Sequence, residues 1–286
     1  MYGIIEYMTA TMEVSKFSVD EKLNSLSELC YQAELLLLDI NEISKSRSRE
    51  NFRRLVAIHL LAIMLNTANS IHLLLSKGNN YTAAILVRAM VEQWVNLRYI
   101  FLTPKYENLV RYLFDGDMYF IKNVQKAAKT FQEHNEEGYI DDLVEDALES
   151  IKYRVSSSNA LKKYGYQLKC MPTFSDRVKL ITETDYDLGT MFLYYYDYLT
   201  YSRNVHSSKD KVIEMTYAET YEDWFQANGS GGDEDAFRMI STCGEIINKA
   251  FSFFSNYIKV TKKHKFYSLC KKQAYITNIM DYRKTK

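Results

Sequence analysis

Hydrophobic residues recur at helical spacing along most of this chain. The segment from Asp20 to about Ser44 repeats leucine with this period, and the apolar run from Glu50 to Ser76 ends at the tetrapeptide Lys77-Gly78-Asn79-Asn80. A glycine just after the last apolar turn is typical of a helix C-terminus. The pattern therefore predicts two helices here, and it continues into a third from Tyr81 to Leu102.

Local start signals predict further helices in the rest of the chain. Thr103 before Pro104 is typical of an N-cap and a first helical position, where the missing N–H of proline costs nothing. Ser175 and Asp176 indicate the start of a short helix in the same way. The short helix that begins at Ser175 and Asp176 is expected to end at about Thr182. The other predicted helices run from Lys105 to about Gln132, from Leu188 to Val205 and from Ala236 to Val260.

Strand patterns and turn residues are both scarce. No segment alternates apolar and polar residues between turn signals. The chain has 2 prolines and 10 glycines, whereas average usage would give about 14 and about 20. We therefore exclude all-β architectures and predict an all-α fold, a single bundle-like domain of six to eight helices over residues 1–286. Its helical core is expected at 19–260, with a basic C-terminal tail at 261–286.

Composition narrows the function classes. The 36 basic and 36 acidic side chains cancel, so there is no overall attraction to nucleic acid or membrane. The most apolar stretch, Leu55 to Leu75, is interrupted by polar residues, and the N-terminus lacks a signal peptide, so we expect a cytoplasmic protein without a membrane span. The four cysteines form no CxxC pair and no metal or nucleotide motif is present, so neither metal nor cofactor is expected.

The third predicted helix carries polar residues on an otherwise apolar surface. Arg88, Glu92 and Asn96 follow one another at four-residue spacing, which places them on one helix face. A helix that is apolar on every side is a buried one, and charges inside it need partners. Two interpretations stay open: a polar network that locks helix packing, or the floor of a pocket that binds an anionic or hydroxyl-bearing ligand.

A tyrosine-rich helix is the natural source of those partners. Tyr195 and Tyr201 are candidate binding residues within it, and His206 lies at its end beside Arg203 and Asn204. We expect this helix to pack against the third one and to bring Tyr195 or His206 close to a buried Arg88 and Glu92, because a guanidinium has five donors to satisfy.

The residues from Asn80 to Glu92, paired with the later Tyr195 to Ser207, resemble an uncharacterised prokaryotic helical family, domain of unknown function 5677. The resemblance covers roughly Glu50 to Ser208 and implies an all-α fold without an established activity. Arg203-Asn204-Val205-His206 is loosely similar to the HEPN helical ribonucleases, although two residues separate Arg and His here instead of four to six. That similarity implies catalytic roles for His206, Arg203 and Asn204.

Three functions follow as hypotheses, and whether the chain is an enzyme stays open. The first is a helical interaction or ligand-sensing protein, in a bacterial defence or toxin–antitoxin setting. The alternative is a metal-independent ribonuclease, in which His206 acts as acid or base and Arg203 stabilises charge at phosphorus. The third is RNA or DNA binding through basic residues that include Arg53 and Arg54. The aromatic C-terminal helix, with Phe251, Phe253, Phe254 and Tyr257, also predicts a homodimer or other homo-oligomer.

Overall fold

The computed structural model describes residues 18–41, 49–103, 105–132, 142, 145–146, 148–150, 153, 170–185, 187–205 and 233–257. These residues form helices and connecting turns and contain no strand, so the predicted all-α fold is confirmed. The helices are α1 (Val19–Asn41), α2 (Arg49–Leu75), α3 (Asn80–Tyr99), α4 (Lys105–Gln132), α5 (Phe174–Asp185), α6 (Leu188–Phe192), a π helix (Leu193–Tyr198), α7 (Leu199–Val205) and α8 (Asp233–Tyr257).

The helix bounds agree with the sequence pattern to within about three residues at each end. The segment from Leu188 to Val205 is continuous but changes from α to π geometry at Leu193 and back at Leu199, a change that the apolar pattern does not predict. α8 begins at Asp233, earlier than its apolar pattern, because Asp233, Glu234 and Asp235 occupy a first turn where acidic side chains are favourable.

Side-chain caps define where α1 and α5 begin. At α1, Ser18 Oγ accepts from the Glu21 backbone N–H (3.2 Å) and Glu21 Oε2 accepts from the Ser18 N–H (2.7 Å), a reciprocal capping box. At α5, Thr173 Oγ1 accepts from the Asp176 N–H at 3.3 Å. The cap of α5 is therefore Thr173, and the prediction that Ser175 and Asp176 start this helix was wrong by two residues.

Gly78 makes the turn between α2 and α3. Its φ of 71° lies in the left-handed region that favours glycine. The N–H of Gly78 donates to Leu75 O at 3.0 Å and that of Asn79 to Leu74 O at 2.9 Å, the paired bonds of a Schellman motif. Asn79 Oδ1 then accepts from the Thr82 N–H at 3.1 Å, which caps the start of α3.

The chain divides into two compact units whose boundaries lie inside α2 and α3. The first unit comprises residues 1–44, 57–94 and 188–286, and the second comprises 45–56 and 95–187. The single domain over 1–286 stays a prediction, and the basic tail at 261–286 lies outside the described residues.

In the first unit, α3 is the buried central helix. Its indole at Trp94 is 2 % exposed, donates from Nε1 to Thr190 Oγ1 on α6 at 2.9 Å and meets the Phe253 ring of α8 edge-on at 6.2 Å. α1 packs against α8. Besides Trp94, the buried apolar residues that α1, α3 and α8 contribute to the first unit are Leu23, Leu26, Leu29, Cys30, Ala33, Leu36, Ala83, Ala84, Val87, Met90, Val91, Ala236, Met239, Ile240, Cys243, Ile246, Ile247, Ala250, Phe251 and Phe254. The prediction that α3 is buried is confirmed.

α2 carries the most apolar stretch of the described residues. Arg53–Leu75 is long and apolar enough, by length and composition alone, to cross a membrane, with a mean hydropathy of 1.5. About half of the window, 44 %, is buried inside the fold, and polar residues His59, Asn66 and Ser70 lie exposed on another face. A buried α2 in a cytoplasmic protein stays a prediction.

In the second unit, polar side chains fix the helix ends. Asn108 Nδ2 on α4 donates to Tyr99 O and Leu102 O, both at 3.2 Å, so it satisfies carbonyls at the C-terminus of α3. Arg98 Nη2 contacts Asp185 Oδ2 at 2.6 Å and Asp187 Oδ2 at 3.5 Å. Helices α3, α4 and α5 are held to one another by these bonds and by the apolar residues Leu97, Ile100, Leu109, Phe114, Ile121, Val178 and Ile181.

Arg53 does not belong to a nucleic-acid-binding surface. Its side chain is 1 % exposed and its guanidinium lies 4.4 Å from the centre of the Phe101 ring, within the second unit. A buried guanidinium cannot contact a phosphate backbone in solvent. The prediction that Arg53 contributes to a basic nucleic-acid-binding surface was therefore wrong.

Substitution of Gly78 and Gly116 by alanine is expected to change the free energy of unfolding in opposite directions. Gly78→Ala is expected to lower the free energy of unfolding by about 1 kcal/mol, because an L side chain is strained at positive φ. Gly116→Ala, inside α4 where an added Cβ meets no atom within 4 Å, is expected to raise it by about 0.5–1 kcal/mol. Urea denaturation followed by circular dichroism measures both, and a gain at Gly78 would contradict the turn geometry.

Candidate functional site

The candidate site lies where α3 faces the segment from Leu188 to Val205, within the first unit. Two hydrogen bonds connect them: Trp94 Nε1 to Thr190 Oγ1 at 2.9 Å and Arg88 Nη2 to Tyr198 Oη at 3.2 Å. Residue numbers rise along one segment as they fall along the other, so the two run antiparallel. The predicted packing of the tyrosine-rich helix against α3 is confirmed.

Arg88 stands at the centre of the first cluster, which we call the Arg88 site (Arg88, Glu92 and Tyr198). Its Nη2 lies 3.3 Å from Glu92 Oε1, as the four-residue spacing predicts. The Arg88 side chain is 19 % exposed, so it is mostly buried as predicted, whereas the Glu92 side chain is 39 % exposed and is less buried. Arg88 Nε is buried, and no described residue accepts a hydrogen bond from it.

Tyr198 takes the place predicted for Tyr195. The Tyr198 ring lies 5.1 Å from the Arg88 guanidinium on one side and stacks on Tyr194 at 5.6 Å on the other. Tyr195 is 63 % exposed, and its ring packs edge-on against Tyr194. The expectation that Tyr195 approaches Arg88 was wrong. Thr190 faces Trp94 of α3, and Tyr195, five residues later, lies about 140° further around a helix of ordinary period.

Asn96 and Tyr201, the two remaining predicted binding residues, do not contribute contacts to the Arg88 site. Asn96 belongs to the second unit, where its Oδ1 is buried and accepts no hydrogen bond from a described residue. Tyr201 is 4 % exposed and lies beside Arg238, 5.4 Å from ring centre to guanidinium. It is part of a second cluster.

The second cluster, the Asp197–Arg238 cluster (Asp197, Arg238, Tyr196 and Tyr201), joins the π helix to α8. Arg238 Nε donates to Asp197 Oδ1 at 3.1 Å and Nη2 donates to the backbone carbonyl of Tyr196 at 2.6 Å. The guanidinium also lies 3.8 Å from the centre of the Tyr196 ring. One arginine therefore holds a side chain, a backbone carbonyl and an aromatic face of two consecutive residues.

Burial decides the electrostatics of this cluster. Asp197 is 3 % exposed, and burial raises the pKa of its carboxyl to about 6, although the Arg238 guanidinium acts in the opposite direction. Burial, together with the Asp197 carboxylate, raises the pKa of Tyr201 well above its ordinary value. The Tyr201 hydroxyl is buried, and no described residue makes a hydrogen bond with it. Asp197 therefore costs stability when ionised, and groups with such shifts concentrate at functional sites.

The predicted catalytic residues fall at the edge of the described structure. Arg203 and Asn204 lie within α7, which ends at Val205, and nothing further is described of their side chains. His206 lies outside the described residues. Catalysis by His206, Arg203 and Asn204 stays a prediction. Among the described residues, no group of three or more His, Cys, Asp or Glu side chains is placed to hold a metal ion.

Arg238 and Tyr198 are the site residues that the sequence did not identify. A signal for Arg238 was available, because Asp197 sits in an apolar and aromatic stretch and a buried carboxylate needs a cation. Arg238 is a basic residue near the start of the apolar α8. No spacing rule connects positions so far apart in the chain.

Residues 54–217, more than half of the chain, match the model of a family of unknown function, DUF5677, and the chain belongs to that family. The resemblance drawn from Asn80–Glu92 and the tyrosine-rich helix is thereby confirmed. No curated protein and no solved structure matches the chain. The looser similarity to the HEPN ribonucleases stays a prediction.

The Tyr198 hydroxyl bond to Arg88 can be measured by deletion of one atom. Tyr198→Phe keeps the ring between Tyr194 and Arg88 but removes the acceptor, and we expect the free energy of unfolding to fall by about 1 kcal/mol. Tyr195→Phe is the matched control, since this exposed hydroxyl makes no contact with Arg88 and its loss is expected to stay within about 0.5 kcal/mol. Equal effects in urea denaturation would remove Tyr198 from the site.

Asp197 predicts a pH dependence of stability with a definite sign. Its folded pKa of about 6 exceeds the unfolded value near 4, so the folded state holds a proton that the unfolded chain has released between these pH values. The stabilisation is complete below about pH 4 and is lost as pH rises through about 6, by up to about 3 kcal/mol. Asp197→Asn should remove this slope, and a variant with the wild-type slope would contradict the assignment.

Proposed function

We propose that this chain is a ligand-sensing helical protein whose Arg88 site binds a small molecule with an anionic group and a neighbouring hydroxyl. The observation that carries the proposal is the state of Arg88: a mostly buried guanidinium whose Nε donor has no acceptor among the described residues. A buried donor without a partner costs free energy. A ligand oxygen that reaches it removes that cost.

The chemistry of the three side chains fits such a ligand. Guanidinium groups bind carboxylates and phosphates through a planar fork of N–H donors. Tyr198 Oη accepts from Arg88, and a phenolic hydroxyl can both accept and donate hydrogen bonds. The Glu92 carboxylate, more exposed than Arg88, can accept from a ligand hydroxyl. The site therefore offers donors for the anion and an acceptor beside them.

The position of the site in the fold also supports a binding role. Tyr198 is the last residue of the π helix, and π-helical turns are frequent at functional sites. The surrounding first unit supplies a rigid apolar frame through α3 and α8. Arg88, Tyr198 and their neighbours are thereby fixed before any ligand arrives, which lowers the entropic cost of binding.

The proposed function also includes a cellular system, a location and partners for this protein. A bacterial defence or toxin–antitoxin system, a cytoplasmic location and a protein or RNA partner are part of the proposed function and rest on the sequence. Self-association is also proposed, with one change: Phe251 and Phe254 of α8 are fully buried in the first unit. These two rings are used by the chain's own core, so they no longer support an interface between copies.

Arg88→Gln tests the binding role directly. Inorganic phosphate and glycerol 3-phosphate are the probes, because the second adds hydroxyls beside the same anion. Isothermal titration calorimetry should show that the wild type binds glycerol 3-phosphate more tightly than inorganic phosphate. Arg88→Gln should weaken both probes by at least about tenfold, since a charge-assisted donor is lost. Glu92→Met should abolish the preference for glycerol 3-phosphate, because methionine lacks the carboxylate that accepts from the ligand hydroxyl.

Arg111→Gln is the matched control. Arg111 is 21 % exposed and pairs with Glu107 on its own helix, α4, in the second unit. The Arg111→Gln variant should bind both probes as tightly as the wild type does. Equal affinities for the wild type and Arg88→Gln would contradict the proposal. Cleavage of single-stranded RNA by the purified protein, lost in His206→Ala, would favour the ribonuclease alternative instead.

A further inference from the structure

Arg238 makes more contacts with the π helix than an ion pair requires. Besides Asp197 Oδ1 at 3.1 Å, it donates to Tyr196 O at 2.6 Å and reaches Thr200 Oγ1 at 3.5 Å. The Thr200 hydroxyl donates to the same Tyr196 carbonyl. Side chains thus satisfy the Tyr196 carbonyl in the middle of the π turn, and one of them comes from another helix.

These contacts bear on the residue next in sequence. Tyr198 follows Tyr196 and Asp197 directly in the sequence. The Tyr198 side chain contacts Arg88 on α3, whereas the Asp197 side chain contacts Arg238 on α8. A helix segment held at two consecutive residues has little freedom to rotate at the third. The position of the Tyr198 hydroxyl is therefore set by Arg238.

Aromatic stacking repeats the same arrangement on both sides of the π turn. Phe192 stacks on Tyr196 at 5.0 Å and Arg238 covers Tyr196. Tyr194 stacks on Tyr198 at 5.6 Å and Arg88 covers Tyr198. The turn thus contacts an arginine from α8 through Tyr196 and an arginine from α3 through Tyr198.

We infer that Arg238 is the positioning residue of the Arg88 site: its guanidinium bridges Asp197 and the Tyr196 carbonyl and thereby fixes the Tyr198 hydroxyl against Arg88. The role requires the forked geometry of arginine, because a single ammonium cannot bridge both acceptors in the same way. The inference rests on the proposed function for its ligand, but its first test needs no ligand.

A double-mutant cycle between Arg88→Gln and Tyr198→Phe measures the coupling of the two side chains. The cycle is run in urea denaturation on the wild type, Arg238→Gln, Arg238→Lys and Arg111→Gln. The coupling should be present in the wild type and in Arg111→Gln, whose lost arginine has a similar exposure of 21 % against 23 %. It should disappear in Arg238→Gln and fall by at least half in Arg238→Lys.

Each outcome decides the inference. Undiminished coupling in Arg238→Gln would overturn it, and so would full rescue by Arg238→Lys, which would show that charge alone suffices. If Arg238→Gln does not fold, the milder Arg238→Lys carries the test by itself. A merely structural role predicts lower stability with unchanged coupling.

Binding of glycerol 3-phosphate separates this inference from the proposed function. Where the wild type binds the probe, Arg238→Lys should weaken it at least fivefold and Arg111→Gln should not. A wild type that fails to bind the probe contradicts the proposed function, while the double-mutant cycle still decides whether Arg238 positions Tyr198. Wild-type affinity in Arg238→Lys would contradict the positioning role alone.

Discussion

A buried apolar helix that carries a few strong hydrogen-bonding groups is the constraint on which the rest of the structure depends. The buried faces of α3 are shut off from water, so polar groups there are favourable only where another segment supplies a hydrogen-bond partner. Trp94 Nε1 finds Thr190 and Arg88 Nη2 finds Tyr198. These two bonds fix the register of the antiparallel segment, and they explain why a hydroxyl-rich helix lies against an apolar one.

Arg88 and Arg238 have different tasks. Their side chains are similarly exposed, but their carboxylates are not: Glu92 is 39 % exposed, whereas Asp197 is 4 % exposed. The desolvation cost therefore falls on Asp197, whose pKa is raised to about 6. Because of that cost, the Asp197–Arg238 ion pair adds little to the stability of the fold, but it fixes the position of the two side chains relative to each other. The Arg88–Glu92 pair has the more exposed carboxylate, as the proposed binding of a ligand requires.

The sequence predicted the fold better than the site, for a physical reason. Helix bounds depend on local signals such as the Gly78 stop and the acidic first turn of α8, and these can be found in a short window. The alignment of Tyr198 with Thr190 on the face that meets α3 involves a π turn, which a period of 3.6 residues does not represent. The partner of Asp197 depends on tertiary packing, so Arg238 could have been sought but not located.

The run Tyr194-Tyr195-Tyr196-Asp197-Tyr198 shows why the excess of tyrosine is more than apolar material. Tyr196 and Tyr198 present rings to arginines from opposite helices, and Tyr194 supports Tyr198 from behind. A phenylalanine would supply the ring in each case, but only tyrosine supplies the hydroxyl that meets Arg88. Tyr195, by contrast, faces solvent.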